Sequence, residues 1–281
     1  MIEVSFEIFP PASEAGRQKL IPSVTKLQQL KPKFVSVTYG AQGSTRERSL
    51  CLVNKLCSKT EIEPAAHITC AGVTSLEVDE VVTKFIASGV KRFVAIRGDT
   101  NDGEIFQPHP NGYQNSVEFV KSLAKKGILQ IAVGAYPEPH PQSYSLSKDI
   151  DVLKAKVDAG ATELITQFTF NLDSLFRLRD SLAKAGIETP LIPGIMPSTN
   201  FFAVSKMAKA CAISVPDWLS KAFVGLEEEP ETRKYLASII AFDQAKKLIL
   251  EGFSSLHFYT MNQMDLPIAV CRRLGIGGDL E

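Results

Sequence analysis

The segment Leu146–Phe168, LSKDIDVLKAKVDAGATELITQF, decides the fold. Its first part, Leu146–Ala159, is amphipathic and reads as a helix. Ala159-Gly160-Ala161 follows, and then the short apolar run Glu163–Phe168, which reads as a strand. A glycine just past a helix takes the left-handed conformation that stops it. The same helix–glycine–strand signal recurs at Ser88-Gly89-Val90, Lys126-Gly127-Ile128, Ala185-Gly186-Ile187 and Glu251-Gly252-Phe253. Further strands are expected at Glu3–Phe9, Lys33–Tyr39, Pro64–Cys70, Arg92–Arg97, Leu129–Tyr136, Pro190–Ile195 and Ser255–Thr260. Most are near-continuous runs of Val, Ile, Phe and Leu, as expected of parallel strands covered on both faces. Helices are expected at Ser75–Ser88, Gln114–Lys126 and Leu172–Ala185 as well. Eight strand–helix units in 281 residues predict a closed (β/α)8 TIM barrel, an α/β fold that takes roughly 250 residues. No linker interrupts the chain, so residues 1–281 are expected to form one domain. An open doubly wound sheet is the competing arrangement, and the chain has no GxGxxG to support it.

Composition removes several classes of function. Lys plus Arg number 31 and Asp plus Glu number 31, so the formal net charge is zero. A nucleic-acid binder needs a basic surplus to displace counterions, and none is present. With 44% hydrophobic and 22% charged residues, the chain has the balance of a folded protein and not of a disordered one. The most apolar run, Ile128–Tyr136, is about half the ~20 residues that span a bilayer, so no membrane partner is expected. The opening MIEVSFEIFPP has acidic Glu3 and Glu7 and no basic stretch, unlike a secretory signal. Five cysteines without a CxxC pair read as reduced thiols, and a cytoplasmic location is expected. The four histidines show neither HxH nor HExxH spacing, so no metal site is expected.

Active sites of such barrels form at the C-terminal ends of the strands. Those ends carry Glu7, Thr38, His67, Asp99, Tyr136, Gln167 and Tyr259, which would converge on one mouth. Glu7 shares a strand face with Ser5 and Phe9 and is flanked by Phe6 and Ile8. Partial desolvation there raises a carboxyl pKa and suits a general acid; an edge-strand surface Glu is the plainer alternative. Arg97 and Asp99 flank Gly98, either to let backbone approach a ligand or as a pair fixing a turn. Gln167, in an apolar strand, offers a donor and an acceptor to a lactam-like ring edge or to a neighbouring strand. His67 is mid-strand, where a satisfied core histidine is the ordinary reading. Glu227-Glu228-Glu229 reads as a solvated helix start and Trp218 as a packing residue. In the stiff loop Pro193–Phe202, Ser198, Thr199 or Asn200 caps a following helix, which leaves Phe201 either near the mouth, free to stack on a planar ring, or packed in the core.

Nine segments, in order, resemble the methylenetetrahydrofolate reductase family. They are Val4–Pro11, Lys31–Ala41, His67–Cys70, Ala95–Asp99, Ala135–Glu138, Lys156–Ala161, Thr166–Phe168, Pro193–Ile195 and His257–Thr260. The resemblance covers nearly the whole chain. It implies a barrel with non-covalent FAD and no Rossmann fingerprint. NADH or NADPH would reduce the flavin and leave, and methylenetetrahydrofolate would then take the hydride. By resemblance Glu7 is the general acid, Asp99 the aspartate near flavin and pterin, Gln167 the pterin partner, and Phe201 an aromatic that contacts nicotinamide nucleotide or folate in turn. Thr38, His67, Arg97, Gly98, Asp99, Tyr136, His140, Asp149 and Lys156 match the FAD-binding positions. Arg97 and Lys156 would neutralise the pyrophosphate, and Asp149 would hold a ribose hydroxyl.

Two departures stand out. Gln263 occupies a position where the family usually has arginine, at the substrate end of the site, and Thr169 interrupts an aromatic run. The chain starts almost at the first strand and stops soon after the last, so an unregulated bacterial-type enzyme is expected, and by analogy a homo-oligomer. Two further readings stay open. One is another flavin-dependent barrel acting on a related one-carbon carrier, and the other is a folate-binding barrel without redox chemistry.

Overall fold

All eight expected strands form, with boundaries within two residues of those read from the sequence. They are β1 Glu3–Ile8, β2 Phe34–Val37, β3 Pro64–Thr69, β4 Arg92–Ile96, β5 Gln130–Ala135, β6 Glu163–Phe168, β7 Leu191–Ile195 and β8 Ser255–Tyr259. The computed structural model describes residues 2–40, 45–98, 107–140, 142–143 and 145–277. Every neighbouring pair is parallel, and β1 pairs with β8 from Glu3↔Ser255 to Glu7↔Tyr259, which closes the barrel. The helices are α1 Glu14–Thr25, α2 Arg46–Lys59, α3 Ser75–Ala87, α4 Ser116–Lys125, α5 Leu146–Asp158, α6 Leu172–Lys184, α7 Phe201–Ala210, α8 Asp217–Phe223, α9 Pro230–Leu250 and α10 Asp265–Arg273. Among the described residues none is long and apolar enough to cross a membrane.

The glycine signal has its expected basis. Gly89, Gly127, Gly160, Gly186 and Gly252 all take positive φ, between 70° and 120°, just after a helix. Start signals are equally local: Thr74 and Glu77 form a reciprocal capping box on α3, and Asn200 accepts from Ala203 N to cap α7. Glu227, Glu228 and Glu229 are exposed ahead of α9, as expected. Trp218 is not a packing residue. It is 53% exposed, because α8 turns Leu219 and Phe223 inward instead.

Period-two alternation sorts each strand between two cores. Val4, Phe6 and Ile8 of β1 point outward and join the large cluster beneath the helices, as do Val35, Val37, Ile68 and Phe93. The opposite phase fills the barrel with Phe34, Ala65, Val94, Ala132, Ile165 and Ile192. This inner layer separates two polar ends. At the N-terminal end, Arg92 reaches Glu163 at 2.6 Å and Glu63 at 3.2 Å, and Lys33 reaches Glu163 at 3.1 Å and Glu3 at 2.7 Å. The Arg92 guanidinium also lies 4.6 Å from the Phe34 ring centre. Stacked 5.9 Å from the same ring is His257, at the level where the C-terminal mouth begins.

Candidate active site

At the C-terminal end the same alternation brings Glu7, Thr38, His67, Tyr136, Gln167, His257 and Tyr259 around one cavity of about 470 Å³. A second cavity of about 440 Å³ lies beside it, lined by Arg97, His140, Asp149 and Lys156. The two share Ile96, Gly98, Gly134, Ala135 and Tyr136. Every described position of the expected cofactor set therefore borders one of two adjoining cavities. Asp99, expected to be both catalytic and cofactor-binding, lies outside the described residues.

Glu7 ends β1 on the inward face. Its register partners on β2 and β8 are Ser36 and Tyr259. Among the described residues no Lys or Arg lies within ion-pair distance of it; the one basic side chain at hand is His67, whose Nε2 stands 3.5 Å from Oε2. Burial pushes the Glu7 pKa up to about 8 and, acting the opposite way on a base, pushes His67 down to about 3. At neutral pH the pair is thus a carboxylic acid facing a neutral imidazole, and not an ion pair. His67 corrects the sequence reading in one respect. It is buried, but its Nε2 has no hydrogen-bond partner, so it is not a satisfied core histidine. His257 behaves more like one, since its Nδ1 pairs with Ser5 Oγ at 2.8 Å.

A bulge aims Gln167. Ile165 pairs with Ile192 and Phe168 with Gly194, so β6 carries one extra residue against β7. Gly194 permits the resulting close approach: a Cβ there would collide with Thr166 O and with the Tyr259 ring. Tyr259 donates to Thr166 O at 2.7 Å and Gly194 N to Thr166 Oγ1 at 2.9 Å, which locks the bulge. Gln167 lines the mouth, and its Oε1 accepts from Phe168 N at 3.0 Å, leaving the NH2 end of the amide for a ligand.

In the second cavity, Asp149 and Lys156 lie seven residues apart on one face of α5 and confront Arg97 at the end of β4. Asp149 Oδ2 accepts from His140 N at 3.0 Å, which fixes the loop after β5. Tyr136 and His140 meet edge to face, with ring centres 4.6 Å apart. Burial, and then the Arg97 charge, push the Lys156 ammonium down to about 8; Asp149 opposes this. Two cations held together in a cavity are a receptor for an anion. Between the cavities, Gly134 has nothing within 4 Å of where its Cβ would be, so its missing side chain leaves open space.

Three residues singled out in the sequence do not line the main mouth. Phe201 is stacked on Phe223, centres 5.4 Å apart, in a small apolar pocket with Phe170 and Leu219, and does not border the main mouth. Gln263 is exposed and borders neither cavity; its backbone N donates to Thr260 O, and Met261 faces the mouth instead. Thr169 lies behind the mouth and not on its wall. It is buried and ties its own loop to the loop after β5 and to helix α9, with Oγ1 reaching Glu138, Oγ1 accepting from Asn171 N, and its carbonyl accepting from Gln244 Nε2 at 2.6 Å. Glu138 in turn accepts from Ser214 N at 3.0 Å. Sequence reasoning missed this clasp and also the Met196 and Met207 side chains that border the mouth. Ordinary apolar spacing marked neither methionine as functional.

The family described as "Methylenetetrahydrofolate reductase" matches residues 1–275. The 5,10-methylenetetrahydrofolate reductase of Pectobacterium carotovorum subsp. carotovorum is 39% identical over 281 residues, covering 99% of this chain and 92% of that protein. The enzyme of the same name from Escherichia coli (strain K12) is 40% identical over 275 residues, 98% of this chain and 91% of that protein. Among solved structures, an uncharacterized protein from Clostridium thermocellum that binds two copies of 5-methyl-5,6,7,8-tetrahydrofolic acid superimposes with a TM-score of 0.60 at 13% identity, over 96% of this chain and 93% of that one. That last likeness is one of fold.

Proposed function

Since the chain belongs to the methylenetetrahydrofolate reductase family, and with it to the enzymes that reduce methylenetetrahydrofolate, we propose that it does so with FAD and a nicotinamide nucleotide, with Glu7 as the general acid. When bound, FAD would supply the redox chemistry, the relay of a hydride from NADH or NADPH to the folate's methylene carbon. The residues present fit such a group. Arg97 and Lys156 would hold its diphosphate, Asp149 and His140 would stand by the ribose, and Thr38, His67, Gly98 and Tyr136 would border its rings. Gly134, shared by the two cavities, leaves open space that would admit a ring of the cofactor.

The rest is the work of the chain. The methylene bridge accepts hydride poorly until its five-membered ring opens to an iminium cation. Opening requires a proton on the departing nitrogen. Glu7 keeps a proton near neutral pH because it is largely desolvated and, among the described residues, has no Lys or Arg beside it, and that is the observation on which the reading rests. Gln167 would donate its amide to the pterin edge and fix the ring against the acid. Asp99 would stabilise the cation electrostatically.

An anaerobic stopped-flow experiment tests the reading. The yellow protein should bleach with NADH or NADPH and regain its colour with methylenetetrahydrofolate. A colourless preparation that takes up no FAD, or a bleached one that folate fails to reoxidise, would refute it.

A further inference from the structure

The mouth contains one buried polar atom with no assigned task, His67 Nε2. It has no hydrogen-bond partner, yet it stands 3.5 Å from Glu7 Oε2. The contact is built into the barrel. Glu7 pairs with Ser36 on β2, and Ser36 with Ala65 on β3, so His67 is the next inward residue above that level. The small Ser36 side chain leaves the carboxyl clear to meet an imidazole two strands away. Three other polar groups near Glu7 have partners of their own. Tyr259 donates to Thr166 O, Ser36 Oγ turns to Phe6 O at 3.4 Å, and His257 Nδ1 is held by Ser5.

A protonated carboxyl that is buried needs an acceptor for its O–H. Without one, the acid proton rotates between orientations, and only some of them face the substrate. We propose that His67 is a positioning residue for Glu7: its Nε2 lone pair accepts the hydrogen bond of the protonated carboxyl and holds that proton in place until the departing nitrogen of the substrate replaces Nε2 as acceptor. No bond to His67 forms or breaks, and the proton passes from Glu7 to the substrate nitrogen. The inference rests on the reading of Glu7 as the acid, and it gives His67 a role beyond bordering a cofactor.

Infrared difference spectra of the FAD-loaded full chain test it together with stopped-flow kinetics. The carbonyl band of protonated Glu7 is identified by its loss in Glu7→Gln. In His67→Leu that band should move to higher frequency, because the O–H has lost its acceptor. In His67→Gln, whose Oε1 supplies a substitute, it should return toward the parent position. The folate half-reaction of His67→Leu should slow roughly tenfold, part of the range a general acid contributes, and His67→Gln should recover most of that loss. A band unmoved in His67→Leu overturns the proposal. So does an equal loss in both half-reactions that follows FAD content, since His67 would then act only through the cofactor. A parent enzyme with no carbonyl band sensitive to Glu7→Gln would instead refute the acid reading of Glu7, and the proposal with it.

Discussion

The two ends of the barrel treat a buried glutamate in opposite ways. At the base, Glu163 is enclosed between Arg92 at 2.6 Å and Lys33 at 3.1 Å. At the mouth, Glu7 is less enclosed, its side chain 22% exposed against 8% for Glu163, and among the described residues the basic group beside it is a neutral imidazole. The base compensates its charges within the protein, where breaking a pair leaves an uncompensated ion. The mouth leaves a carboxyl uncompensated, and burial alone lifts it to about 8. Conserving charge balance at one end serves stability, and withholding it at the other keeps an acid loaded.

Substitutions at each end can break or sharpen that contrast. The largest effect is expected from Glu7→Gln. The folate half-reaction should fall roughly a thousandfold, within the range for a positioned acid, while flavin reduction by the nicotinamide persists. Loss in both halves alike would show that the mouth carboxyl serves general integrity, as the base does.

Next comes Arg92→Leu. It should cost about 3–5 kcal/mol in urea unfolding, because Glu163 keeps only Lys33, yet leave turnover per folded molecule intact. Lower turnover at unchanged stability would reverse the roles of the two ends.

A third test concerns pH. Below 4.5 the Glu7 carboxyl is protonated in folded and unfolded chains alike; between 4.5 and about 8 only the unfolded chain ionises. Stability is therefore lost as pH rises across that window, on the order of 3 kcal/mol by neutrality. FAD-free Glu7→Gln should lack this loss and gain on the parent between pH 5 and 8 (roughly the window just given). Parallel melting curves for the two proteins would show that Glu7 ionises in place at no cost.

The smallest effect is expected at Lys156. An anion binds its protonated form, so FAD affinity should weaken as pH rises through about 8. Lys156→Met should lower affinity roughly tenfold, the scale of one charge-assisted contact, and flatten that pH dependence. A variant whose FAD titrations keep the parent's slope would assign the dependence to another group.

The fold was legible because both of its signals are local. Apolar runs covered on two faces mark β2, β3 and β7, and a left-handed glycine marks the end of five helices. The mouth was partly legible for the same reason, since alternation along β1, β3 and β6 already puts Glu7, His67 and Gln167 on inward positions. What escaped the reading depends on distant partners. Phe201 is drawn aside by Phe223, which arrives on a separate helix. Thr169 looked like a flaw in an aromatic run because Glu138 and Gln244, which explain it, come from a distant loop and from helix α9. Contact between His67 and Glu7 exists only after the sheet has curved into a cylinder.

The inner layer of Phe34, Ala65, Val94, Ala132, Ile165 and Ile192 has a consequence for supply. Its six side chains are at most 5% exposed, and the broad cavity lies above them on the mouth side. A hydrogen ion spent at the top must be replenished through the opening that reactants themselves use. On the proposed chemistry, recharging the acid would then share a doorway with substrate and product.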